Sequence, residues 1–308
     1  MLWEKKGLVW GPDGFAPWAA HSALQPTPHV MADGRIRIYA GLRDAEGRGS
    51  VGFVDLDPEE PSRVLRVCDR PALAYADAGS FARDGVVPTA VATVGDELRL
   101  YYAAYLRGEG DVRFEVFCGL AVSDDGGDTF RPHSDEPVMG ASPEGRLFRV
   151  IHSIRSEGGR WRAWYGAGSE FRRGETKTLP VYDIRYCESD DGIAFPEVGR
   201  VCIPISGEEH RVGRPWVVPS GSTDGGYEMY FGAGTERIPY RLAYARSDDG
   251  ITWERDDEAL GVERSADGWD SQMIAYPAVV DAGGRTYLFY NGNDYGREGF
   301  GYAERIAR

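Results

Sequence analysis

Gly284-Arg285-Thr286-Tyr287-Leu288-Phe289-Tyr290-Asn291-Gly292-Asn293 reads as one β-strand: a turn glycine, a β-branched and aromatic run, then Gly and Asn. The same text occurs four more times, as Gly34–Gly41, Glu97–Tyr105, Gly159–Gly168 and Gly226–Gly234. With Tyr39, Tyr102, Tyr165, Tyr230 and Tyr290 as markers, the steps are 63, 63, 65 and 60 residues. A repeat of this kind decides the architecture before any single element does.

Two further features recur with it. After the aromatic strand comes an apolar strand ending in Ser-Asp-Asp-Gly, at Ser123–Gly126, Ser189–Gly192 and Ser247–Gly250. Asp and Gly make such a hairpin turn by local hydrogen bonding and positive φ. A Ca²⁺ site would need six or more converging oxygens, so the Asp pairs are read as turns and not as metal ligands. Before the aromatic strand come His21–Met31, Asp84–Val94, Arg149–Ser156, Gly213–Gly221 and Met273–Ala282. Pro26, Pro28, Pro88, Pro215 and Pro277 lie in these segments. Proline is tolerated at a sheet edge, and a strand lining a central channel is such an edge.

Each unit therefore holds an inner strand, the aromatic strand, a third strand and an outer strand. Four antiparallel strands repeated radially make an all-β propeller. The five copies predict five blades in a single domain over residues 1–308. The last unit, ending at Phe300–Ile306, lacks an outer strand, and Lys6–Trp10 matches one. The N-terminal strand is expected to close the ring there. No window has the three-and-four spacing of a long helix. Ser169–Pro180 is the longest irregular stretch and is expected to overhang a mouth of the channel.

The net charge of −14 opposes nucleic acid as a partner, because phosphate neutralisation needs a basic face. Cys68, Cys118, Cys187 and Cys202 have no zinc or redox spacing and read as buried thiols, and no cofactor is called for. The first ten residues hold no apolar run long enough for a signal peptide or membrane span, so no membrane partner is expected and the location reads as cytoplasmic.

In a propeller, the starts of the inner strands converge on one end of the axis. Those positions read His21, Ser22 and Gln25, then Arg83 and Asp84, then Arg149, His152 and Ser153. They continue with Glu209, His210, Arg211 and Arg214, and finish with Trp269, Asp270 and Gln272. Charged groups beside a buried strand need a partner or a purpose, so this set is a candidate site or a mutually satisfied plug. Pro215 predicts an extended Arg214, and alternation then sends only one of Arg211 and Arg214 into the funnel, Arg214 being the choice.

Trp269–Pro277, Phe289–Gly296 and Gly299–Ala303 resemble the last blade of five-bladed, glycosidase-like propellers related to the arabinanase, invertase and levansucrase superfamily. Phe81–Val86 and Arg214-Pro215 fit the same pattern in blades two and four. The resemblance implies an axial pocket for a sugar and glycosidic hydrolysis or transfer. It also implies three carboxylates, from blades one, two and three. Only Asp84 matches; His21 and His152 stand at or near the other two places. The resemblance leaves two ways to complete the chemistry. His152 or His21 acts as general acid beside Asp84, or Glu209 and Asp270 supply carboxylates. Arg211 and Arg214 imply an anionic group on the ligand. Trp18, Trp216, Trp269 and Tyr295 are candidates to stack on sugar faces. Arg83, Glu209, Asp270 and Gln272 complete the expected binding set. The alternatives are a lyase, isomerase or cyclase running on His and Asp, and a sugar-binding propeller that has lost its catalytic set.

Overall fold

The computed structural model describes residues 1–221 and 225–306. β1 (Trp3–Trp10) precedes β2 (His21–Val30), β3 (Ile36–Arg43), β4 (Gly49–Leu56) and β5 (Val64–Val67). Next come β6 (Val86–Val94), β7 (Glu97–Arg107), β8 (Phe114–Ser123) and β9 (Arg131–Pro132). The third group is β10 (Phe148–Glu157), β11 (Arg160–Arg173), β12 (Thr178–Ser189) and β13 (Arg200–Ile203). Then follow β14 (Arg211–Pro219), β15 (Tyr227–Gly234), β16 (Arg241–Ser247) and β17 (Glu254–Arg255), and finally β18 (Ala275–Ala282), β19 (Arg285–Asn291) and β20 (Phe300–Arg305). Within each group consecutive strands pair antiparallel. Among the described residues, helix is confined to the single turns Asp257–Ala259 and Asn293–Gly296, and no helix is long and apolar enough to cross a membrane.

β1 pairs antiparallel with β20, so the last sheet reads β1-β20-β19-β18 and takes its outer strand from the N-terminus. The pairing runs from Trp3 opposite Arg305 to Trp10 opposite Phe300. The first strands touch one another in cyclic order: β2 against β6, β6 against β10, β10 against β14, β14 against β18, and β18 against β2. The arrangement is propeller-like.

The apolar core lies between successive sheets. Tyr39 and Phe53 pack with Leu100 and Tyr102; Tyr230 and Tyr244 pack with Leu288 and Tyr290. The aromatic strands also staple sheet to sheet through the Asp-Gly turns. Tyr39 Oη donates to Gly127 O at 3.0 Å, Tyr101 Oη to Gly192 O at 2.7 Å, and Trp164 Nε1 to Gly250 O at 2.7 Å. Tyr287 Oη closes the series on Pro58 O, 3.0 Å away in the turn after β4. The two repeated signals in the sequence are thus the two halves of one contact.

The turn carboxylates are spent on the turns. Asp249 Oδ1 accepts from the N–H groups of Ile251 and Thr252, which hold its carboxyl down at about 2. Cys68, Cys118 and Cys187 are buried and Cys202 half-buried, all as free thiols.

Candidate functional site

Each inner strand breaks register at the same place. The breaks fall between Leu24 and Thr27, Pro88 and Ala90, Ile151 and Ser153, Gly213 and Trp216, and Ala275 and Ala278. A β-bulge re-aims the side chain it carries. Gln25, Arg214 and Tyr276 sit in these bulges with φ of 54°, 56° and 57°, each just before a proline. The expectation of an extended Arg214 is corrected: its backbone is left-handed, a region that non-glycine residues occupy only where the surroundings impose it. The bulge also resets the alternation, so Arg211 and Arg214 both face the pocket.

That pocket holds about 470 Å³. Its floor is formed by Gln25, His152, Arg214, Tyr105 and Tyr276, its walls by Asp84, Arg211, Tyr182, Tyr240 and Tyr295, and its outer part by Arg43, Arg107, Arg113 and Lys177. Asp84 is the only carboxylate among the described lining residues, against six Lys and Arg side chains. In a chain of net charge −14 this is an inversion of the overall balance.

Asp84 Oδ2 accepts from the Arg107 backbone N–H at 2.9 Å, and Arg83 Nε lies 3.5 Å away. His152 Nδ1 is buried without a hydrogen-bond partner. Burial first, and then the Arg214 charge, push its pKa well below the ordinary histidine value. Its imidazole is neutral near pH 7. A neutral ring is equipped to accept a proton or to donate a hydrogen bond.

Arg214 is 2% exposed and donates to Thr89 O (2.7 Å), Pro26 O (3.2 Å) and Thr27 Oγ1 (3.0 Å). It has no carboxylate partner among the described residues, and burial brings its pKa down to about 9, still charged at neutrality. Arg211 lies over the Tyr240 ring at 4.0 Å and donates from Nη2 to Pro239 O and Tyr295 Oη. Gln25 Oε1, Arg211 Nε and Arg214 Nε are buried polar atoms without partners, like His152 Nδ1. Groups of that kind call for a ligand or water.

The other expected residues lie elsewhere. His21 hydrogen-bonds Ser22 Oγ at 2.8 Å and does not line the pocket. Glu209 is held by Arg255 (2.6 Å) and Arg241 (2.9 Å), so it neither neutralises Arg211 nor reaches the cavity. Asp270 pairs with Lys5 at 2.5 Å and accepts from Tyr290 Oη, which makes it part of the ring closure. Trp269 stacks on Tyr290 with centroids 5.1 Å apart, and the Gln272 backbone N–H donates to Asn293 Oδ1. Arg83 points outward beside Asp84. Trp18 packs in the core, and Trp216 donates to Val279 O. Of the aromatic candidates, Tyr295 lines the cavity.

Arg43, Arg107, Arg113 and the tyrosines Tyr105, Tyr182, Tyr240 and Tyr276 escaped the sequence reading, whereas Lys177 comes from the stretch expected to overhang the mouth. Arg43 and Arg107 end β3 and β7. The end of an aromatic strand lies beside the start of its antiparallel inner strand, so a basic residue there was the available signal. Asn291 is a further omission: its Oδ1 accepts from Gln25 N, and its Nδ2 donates to Ala23 O and Gly299 O, fixing the Gln25 bulge.

The fold is shared with solved carbohydrate-enzyme structures. A BT0996–RGII complex aligns over 99% of this chain and 92% of that protein, with TM-score 0.74 and 18% identity. The α-L-arabinofuranosidase from Lactobacillus brevis aligns over 93% and 91%, with TM-score 0.71 and 12% identity. A Bombyx mori GH32 β-fructofuranosidase in complex with sucrose aligns over 93% of this chain and 61% of that one, with TM-score 0.58 and 13% identity. The likeness to these structures is a likeness of fold. No family model matches the sequence. The chain belongs to one family with the uncharacterized proteins Rv1502 and MT1551 of Mycobacterium tuberculosis, from strains H37Rv and CDC 1551. Each is 33% identical over 304 residues, 98% of this chain and 99% of the relative.

Proposed function

We propose that residues 1–308 form one five-bladed propeller whose axial pocket belongs to a carbohydrate-active enzyme acting on a small sugar derivative with an anionic group. The five-blade reading is supported by the cyclic contacts of β2, β6, β10, β14 and β18. The functional reading is carried by one observation: a cavity with six cationic side chains and one carboxylate, inside an acidic protein. Neighbouring structures named as glycoside hydrolases, one solved with xylotriose, support the sugar.

Glycosidic cleavage or transfer is the reaction class we infer, with Asp84 as base or charge stabiliser and Arg211 as the anion contact. The ordinary pair of carboxylates is not available to it. A second reading, a non-hydrolytic reaction running on His152 and Asp84, draws its support from the neutral imidazole, a competent proton acceptor. The test is a thermal-shift screen of sugars, uronates, sugar phosphates and nucleotide sugars, followed by turnover of any hit by Asp84→Asn. The Asn retains an oxygen for the Arg107 N–H. Activity should vanish with the melting temperature nearly unchanged; retained activity removes Asp84 from the chemistry.

A further inference from the structure

We propose that the bond this pocket breaks joins an anomeric carbon to a phosphate oxygen: the substrate class is a glycosyl phosphate or diphosphate, its sugar on the floor and its phosphate among the outer cations. The inference rests on the carbohydrate reading above and names its substrate.

The cavity is short of proton donors. Glycoside hydrolysis uses one carboxylic acid to protonate the departing alkoxide and a second carboxylate as base or nucleophile. This cavity offers one carboxylate among the described residues, Asp84, and burial disfavours the protonated, acidic form of the His152 imidazole. The pocket tyrosines Tyr240 and Tyr276 are pushed further from donating, chiefly by burial. A leaving group that departs as a stable anion needs no proton. Phosphate is such a group, because its second pKa is about 6. It needs positive charge where the negative charge collects.

The cavity supplies that charge. Arg43, Arg113 and Lys177 line its outer part and form no ion pair among the described residues. Asp44 pairs with Arg48, and Glu236 accepts from Glu175 and Thr176. At the floor, the partnerless Gln25 Oε1 and His152 Nδ1 are matched to sugar hydroxyls. The exposed cations Arg113 and Lys177 and the buried neutral atoms of Gln25 and His152 give the cavity a charged part and a polar part, as a sugar phosphate has.

In the reaction, Asp84 accepts a proton from water as the water oxygen bonds to the anomeric carbon. The bond from that carbon to the phosphate oxygen breaks, and both electrons stay on the phosphate. The phosphate leaves into the outer cations, and Asp84 returns its proton to solvent. A hydroxyl in place of water gives transfer.

The test is isothermal titration calorimetry of the full chain at fixed ionic strength with inorganic pyrophosphate, and separately with D-glucuronate. Pyrophosphate should bind the wild type, and Arg113→Gln with Lys177→Gln should weaken it about tenfold or more. Those side chains are exposed, so an unchanged melting temperature certifies the variant; Arg43→Gln is the independent second variant. Glucuronate binding without pyrophosphate binding overturns the phosphate assignment and leaves the anionic-sugar reading standing. Binding of neither ligand removes both. Pyrophosphate binding that ignores both variants also overturns the assignment.

Discussion

Arg214 on β14 donates from Nη1 to the main-chain carbonyl of Thr89 on β6, 2.7 Å away, and so ties together inner strands of two different blades. Its other guanidinium nitrogen holds Pro26 and Thr27 of β2. The three contacts make Arg214 a lock of the channel first and a ligand contact second. Charge-assisted bonds of this kind, whose loss leaves buried acceptors unpaired, cost about 3 kcal/mol or more to remove. Arg214→Met should therefore lower the urea midpoint sharply. Arg211→Met, which breaks hydrogen bonds to Pro239 and Tyr295 and the cation contact with the Tyr240 ring, should instead lose the preference for an anionic over a neutral ligand. Equal stability losses in the two variants would refute this division.

The staple between Trp164 and Gly250 gives a second expectation. Trp164 is fully buried, and its indole N–H is committed to the turn carbonyl at 2.7 Å. Trp164→Phe removes the donor and leaves a void where the second ring lay. A loss of about 2 to 3 kcal/mol is expected from the bond and the cavity together. Tyr101→Phe deletes only the hydroxyl on Gly192 O and should cost about 1 kcal/mol. Equilibrium denaturation ranks the two, and a reversed order would show that the turns hold themselves.

Acid sensitivity follows from the buried histidines. His210 is 2% exposed and donates from Nδ1 to Pro180 O at 2.7 Å. Burial, with Arg211 and Lys177 nearby, lowers its pKa to about 4, against about 6.5 in the unfolded chain. Below pH 6.5 the unfolded chain takes up a proton that the native protein refuses. The stability is then complete above 6.5 and falls as pH drops toward 4. His152 shifts in the same direction. The melting temperature should fall by on the order of 3 °C or more between pH 7 and 5. His210→Asn keeps a donor for Pro180 without a titrating ring, and should flatten that slope. An identical slope in the variant assigns the acid loss to other groups.

The strand plan was legible because aromatic strands and Asp-Gly turns are local signals, each written several times. The site was legible only in part, because facing depends on bulges. Alternation counted from Pro215 put Arg211 and Arg214 on opposite faces; the bulge between Gly213 and Trp216 brought both onto the cavity. Glu209 and Asp270 stand next to inner-strand starts in sequence, yet each is captured by a cation from another segment, Arg255 and Lys5. Such captures are long-range and leave no trace in local spacing. The X-Pro pairs Gln25-Pro26, Arg214-Pro215 and Tyr276-Pro277 were visible, and they mark three of the bulges that aim side chains at the axis.

Ring closure is open to a direct cut. Without residues 1–10, β20 presents an unpaired edge, and Asp270, 1% exposed, loses Lys5. An open edge and a buried carboxylate without its partner both disfavour the native monomer. The truncated chain should aggregate or melt well below the full chain by light scattering and calorimetry. A soluble truncation of unchanged stability would mean that β1 is dispensable.

Lys177 reaches the pocket from the tip of the β11–β12 hairpin, and that tip rests on one side chain from the loop after β15. Glu236 accepts from Glu175 N at 2.9 Å, and from Thr176 N and Thr176 Oγ1 at 2.7 and 2.9 Å. The Thr176 and Glu175 N–H groups hold its carboxyl down at about 2, so the contact persists across the pH range in which the protein is folded. Glu236 touches no ligand position; it is a positioning residue for the cation beside it. Glu236→Ala should free the tip, and Lys177 should spend less time at the cavity. Affinity for pyrophosphate should fall by a few-fold, about 3, with the melting temperature nearly unchanged, as for an exposed polar substitution. Glu236→Gln keeps one acceptor oxygen and should fall between. Kinetics with any turned-over phosphate substrate should show the loss in KM and not in kcat, because the proton-accepting groups are untouched. If Glu236→Ala binds pyrophosphate like the wild type, while Lys177→Gln does not, Lys177 is held by its own hairpin and the Glu236 contact plays no part in recognition.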